Sequence, residues 1–129
     1  GLGDDHPETL SSADGLAISL FVSGDREQAH RLAKDTLNRR RRVLGDDHPD
    51  TLSSANHLAF ILRQLGDYEG ARRTDEDTLD RRRRILGENH HATLESASSL
   101  AADLNHLGED RAAQVILDDV AIRRRSISE

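Results

Sequence analysis

The chain contains no cysteine, methionine or tryptophan, only two prolines, and three aromatic residues, Phe21, Phe60 and Tyr68. Without cysteine there is no disulfide framework and no thiolate chemistry, and a reducing compartment such as the cytoplasm suits it. No apolar run approaches the ~20 residues needed to span a bilayer, and no signal peptide opens the chain. So few aromatics leave little on which nucleobases could stack. The net charge of −6 also argues against non-specific attraction to nucleic acid or membranes.

What remains is a sequence of small apolar residues, mostly Ala, Leu and Ile, mixed with abundant Asp, Glu and Arg. That mixture suits an all-helical protein. Catalytic signatures are missing: there is no glycine-rich phosphate loop and no Gly-x-Ser-x-Gly elbow. The serine pairs Ser11-Ser12, Ser53-Ser54 and Ser98-Ser99 have no base and orienting group nearby. Carboxylates are plentiful, but the helical pattern puts them on polar faces or at helix starts, where solvation is expected. The sequence points away from an enzyme and calls for no cofactor.

The chain is organised by a repeat. The segment Leu44-Gly45-Asp46-Asp47-His48-Pro49-Asp50-Thr51-Leu52-Ser53-Ser54-Ala55 has an earlier counterpart that begins at Leu2, and a looser, later one that begins at Leu86. Laid over residues 45–86, residues 3–44 match at 26 of 42 positions. Such a period is the signature of stacked supersecondary units, each sharing its core with its neighbours. The units run over about 3–44, 45–86 and 87–129, a single array. A start inside a repeat-joining loop, with no methionine, reads as an excerpt of a longer chain.

Each unit predicts helix, tight turn, helix. In the second, Pro49 suits the first helical turn, and Asp47 or His48 can cap it. Leu52, Ala55, Leu58, Ala59 and Leu62 then recur at helical spacing along one face. Gly66-Asp67 stops that helix and starts the next, as Gly24-Asp25 and Gly108-Glu109 do in the other units. The second helices turn Ala29, Leu32, Ala33, Leu37, Ala71 and Leu79 inward. Six helices of roughly 17–18 residues are expected.

The pattern Leu-Gly-Asp-Asp-His-Pro-x-Thr-Leu, then Asn56-His57-Leu58-Ala59, Leu62, Gly66-Asp67-Tyr68-x-x-Ala71 and a terminal Arg-rich Leu-Gly resembles the tetratricopeptide repeat. It is most similar to the 42-residue variety of kinesin light chains and bacterial multidomain signalling proteins. The resemblance implies an all-α, right-handed solenoid of three antiparallel helix pairs. It further implies a protein-binding module whose first helices line a concave groove for an extended peptide or a partner helix. Asp14, Ile18, Phe21, Asn56, His57, Phe60, Arg63, Gln64, Ser99, Asn105 and His106 would line that groove. The paired asparagines of the light-chain type are Asp14-Gly15, Asn56-His57 and Ser98-Ser99 here, and His91 stands where the other units have proline.

Three other features invite readings. The arginine runs 39–42, 81–84 and 123–125 would stack into a basic stripe. Four consecutive residues point all round a helix, however, and acids follow the first two runs. Arginine is also favoured at a helix C-terminus, so structure and solubility account for the runs better than a phosphate ligand. His6, His48 and His90 suggest a metal, but packed helices ~8–10 Å apart keep equivalent loops from sharing one zinc, whose ligands must approach to ~2.1 Å. Capping or loop packing is the expectation, and no metal is expected.

The third feature is apolar ends, where solenoids normally carry polar caps. Phe21 and Val22 at one end, and Val115, Ile116 and Ile122 at the other, suggest end-to-end self-association as an alternative function.

Overall fold

In a computed structural model, residues 6–128 are described; residues 1–5, including the Asp4-Asp5 pair of the first loop, and residue 129 lie outside. The chain forms α1 (Pro7–Val22), α2 (Arg26–Leu44), α3 (Pro49–Gln64), α4 (Tyr68–Leu86), α5 (His91–His106) and α6 (Asp110–Ser128). There is no strand among the described residues. The expected near-equal helices prove unequal: each first helix has 16 residues and each second helix 19.

Local chemistry sets these boundaries. The histidines are the caps of the first helices. His6, His48 and His90 accept through Nδ1 from the backbone N–H two residues on, at 3.2, 3.1 and 3.0 Å. An Nδ1 that accepts must be bare, which puts the imidazole proton on Nε2. Replacing His48 with alanine is expected to lower stability by about 1 kcal/mol, with His48→Asp recovering it, in urea titration.

The first helices end in Schellman turns. In the second unit, Gly66 N–H donates to the Arg63 carbonyl and Asp67 N–H to the Leu62 carbonyl. Gly66 sits at φ +89°, a conformation an L side chain rarely adopts. Asp67 then caps α4 by accepting from Gly70 N–H at 2.9 Å.

Packing follows the chain. Each helix lies against the next in sequence, and α1 also touches α3, as α3 touches α5. Among the described residues no such contact joins α2 to α4 or α4 to α6. The odd helices thus form a tight inner layer and the even helices a splayed outer one, which bends the array with α1, α3 and α5 inside.

The core lies between the layers. Ala17, Ala29, Ala33, Leu37, Ala55, Leu58 and Ile61 fill the first junction; Leu79, Leu94, Ala97, Leu100 and Val120 fill the second. Alanine where helices cross lets them approach closely. Each buried Leu or Ile contributes about 1.5–3 kcal/mol. Of the apolar set expected for α3, all are buried except Leu62, which is half-buried.

Candidate functional site

Where the inner helices converge, the fold leaves a cavity of about 310 Å³, lined by Ile18, Phe21, Asn56, His57, Phe60, Ile61, Arg63, Glu95 and Ser99. Phe21 of α1 and Phe60 of α3 meet edge to face, with ring centroids 5.4 Å apart. Each ring also carries a guanidinium. Arg26 lies 5.3 Å from the Phe21 centroid and Arg63 lies 5.7 Å from that of Phe60. The lining is therefore apolar around the two rings, with Arg63 and Glu95 as its charged members; Arg26 lies over Phe21 without being part of it.

Seven of the expected groove residues meet here: Ile18, Phe21, Asn56, His57, Phe60, Arg63 and Ser99. Gln64, Asn105 and His106 are exposed outside the cavity. The His106 ring stacks on Tyr68, with centroids 4.5 Å apart and planes within 4° of parallel. Asp14 is buried and serves the cavity from behind, its Oδ2 lying 2.9 Å from His57 Nδ1. Among the residues expected at the ends, Val22, Val115 and Ile122 are exposed, whereas Ile116 packs onto the second core cluster and Phe21 belongs to the cavity.

Polar junctions hold the inner helices in place, and here the expectation of solvated carboxylates fails. Asp14, Asp75 and Asp103 are buried. At the first junction Arg40 reaches from α2 into α3, its Nη1 donating to Ser54 Oγ at 2.8 Å and to the Asp50 carbonyl at 3.0 Å. It lies 3.5 Å from Asp14 Oδ2, and its Nη2 donates to Ser11 Oγ. The same clasp recurs one repeat further on. Arg82 Nη1 donates to Ser96 Oγ at 2.8 Å and to the Ala92 carbonyl at 3.1 Å. Burial lowers the Arg82 pKa from its ordinary value, against the pull of Glu95 and Asp75.

One arginine of each of the first two runs is thus a joint. Its neighbours pair with local acids: Arg39 with Asp35, Arg41 with Asp46, Arg81 with Asp77 and Asp47, and Arg83 with Glu88. The signal for the joint was present in the sequence as an arginine and a serine at a fixed separation, Arg40 with Ser54 and Arg82 with Ser96, both recurring with the period.

The second junction adds a buried acid pair. Asp75 of α4 and Asp103 of α5 are fully buried, and Arg63 Nη1 lies 2.8 Å from Asp103 Oδ1 and 3.9 Å from Asp75 Oδ2. Both oxygens of Asp75 and Oδ2 of Asp103 lack a donor when both groups are ionised. Burial, then the hydrogen bond and charge of Asp103, push the Asp75 carboxyl up to about 9, against the opposing pull of Arg63 and Arg82. Asp75 therefore holds a proton at neutral pH and can donate it to its neighbour.

The corresponding positions of the first junction are Phe21, Ala33 and Ile61, all apolar. Arg63 thus connects the cavity wall to this buried pair. Among the described residues no group of three or more His, Asp or Glu side chains is placed to hold a metal ion, and no helix is long and apolar enough to cross a membrane.

The profile of the tetratricopeptide repeat family matches residues 9–50 and 51–92. Those two matches keep the period of the sequence in a shifted frame. Among solved structures, kinesin-light-chain-type, nearly identical TPR-like repeats from Podosopora anserina superpose with a TM-score of 0.89 at 24% identity, over 98% of this chain and 60% of that one. BtubC (BKLC) from P. vanneervenii gives 0.88 at 17% identity, over 97% of this chain and 50% of that one. The TPR domain of Arabidopsis FLU gives 0.77 at 20% identity, over 91% of this chain and 95% of that one. The chain thus spans only 50–60% of the length of the first two. No curated protein matches it in sequence.

Proposed function

Because the chain belongs to the tetratricopeptide repeat family, a fold that generally mediates protein–protein interaction, we propose that it captures a protein partner on the face formed by α1, α3 and α5. The observation that carries this reading is the cavity around the Phe21–Phe60 pair, where side chains from all three inner helices meet. Its occupant is a bulky apolar side chain of an extended peptide or amphipathic helix, the usual anchors of such recognition. Arg26, which lies over the Phe21 ring, favours a carboxylate or carbonyl beside that anchor. The chain acts as a binder rather than a catalyst, as the sensing or scaffolding part of a bacterial regulatory protein.

The test is to pan a random-peptide display library on the chain and measure the selected peptides against Phe60→Asp. Phe60 is exposed enough for the variant to fold. Loss of an anchor contact should weaken binding by about tenfold or more. Peptides that bind both proteins equally would place capture elsewhere and sink the groove reading.

A further inference from the structure

The two internal junctions are built alike, and the two ends of the array carry the two halves of that same junction. At each internal joint the second helix of one unit presents a stripe that the first helix of the next covers. The stripe is Ala33, Leu37 and Arg40 on α2, and Asp75, Leu79 and Arg82 on α4, all buried. One period further on, the same positions of α6 are Leu117, Ala121 and Arg124, all exposed.

The covering helices behave in parallel. Leu58 of α3 and Leu100 of α5 are 7% and 8% exposed because a preceding unit lies over them, whereas their counterpart Leu16 on α1 is 52% exposed. Beside Leu16 stands Ser12, the counterpart of the serines that receive Arg40 and Arg82.

We propose that the α6 end of one copy docks on the α1 end of a second copy through this same joint, Arg124 reaching Ser12 while Leu16 covers Leu117 and Ala121. A second copy is the occupant because its α1 already holds the serine and the leucine at the helical spacing that α6 requires. The geometry is that of a contact the chain makes twice within itself. Val115 and Ile122, the more exposed apolar residues of α6, lie about 140–160° round the helix from Leu117 and take no part. The contact is head to tail and continues the superhelix, so it leads to open chains rather than closed rings. It uses neither cavity aromatic and stands independently of the groove.

The test is molar mass by sedimentation over a wide concentration range, with circular dichroism confirming that each variant folds. The wild-type mass should climb with concentration. Leu16→Asp and Leu117→Asp, both at exposed positions, should each weaken association by about tenfold or more. Mixed in equal amounts they should restore a dimer and nothing larger, because each retains the face the other has lost. Val115→Asp should associate like the wild type.

A wild-type chain that stays monomeric at all concentrations would overturn the proposal and leave the joint to a further repeat unit. A mixture that stays monomeric while the wild type assembles, or assembly abolished by Val115→Asp, would also overturn it.

Discussion

Arg63→Ala is expected to lower stability by about 3–5 kcal/mol at neutral pH, because it leaves the Asp103 carboxylate buried without its cation. Among the described residues Arg63 is the only cationic side chain shown within 4 Å of Asp103, at 2.8 Å, and Asp103 is fully buried. For an array of this size that loss is a large share of the total, since small domains are stable by only about 5–15 kcal/mol.

The first junction supplies the control. Its equivalents of Arg63, Asp75 and Asp103 are Phe21, Ala33 and Ile61, which pack within or against the first core cluster. The triple variant Arg63→Phe, Asp75→Ala, Asp103→Ile should therefore match or exceed the wild type, as apolar replacements of whole buried ion groups often do. Urea titration of the single and triple variants measures both effects. A triple variant no more stable than Arg63→Ala would mean that the second junction cannot accept the packing of the first.

The other large effect is on pH dependence. Asp75 has a pKa of about 9 in the folded protein against 3.8 when unperturbed. Below pH 3.8 both states hold the proton and the group gives no slope. Between 3.8 and about 9 the folded chain retains a proton that the unfolded chain releases, so stability falls as pH rises. Above that window both states are ionised and the contribution is fully lost.

The slope from one such group reaches about 1.4 kcal/mol per pH unit. Asp75→Asn should remove it, since the amide keeps a donor for Asp103 and cannot ionise. The variant should overtake the wild type progressively as pH rises from about 6 to about 9. Parallel stability profiles for the two proteins over that range would show that Asp75 is ionised in the fold, contrary to this account.

Much of this architecture was legible without coordinates. The recurrence of Leu-Gly-Asp-Asp-His-Pro identified three units, and Gly66-Asp67 with its counterparts placed the turns. The spacing of Leu52, Ala55, Leu58 and Ala59 named the buried face of α3. These are properties of one helix at a time, and a helix repeats every ~3.6 residues whatever surrounds it. The cavity was legible in part for the same reason. Aligned positions on successive first helices share a face, so seven of eleven expected lining residues fell together.

Tertiary structure decided the rest. An arginine within Arg39–Arg42 looks solvated to any local rule, yet the next unit's serine and carbonyl make Arg40 a buried joint. Asp75 and Asp103 read as surface acids because each is judged by its own helix. The period aligns them with Ala33 and Ile61, but only the stacking of α4 on α5 shows that both are buried and face one another. Whether a side chain is buried depends on what a different segment lays over it. That segment can lie on another helix altogether, as Ser54 does for Arg40 and Asp103 for Asp75. The exposed stripe on α6 follows the same logic. Its residues repeat the pattern of α2 and α4, and only the absence of a covering helix among the described residues makes it a surface.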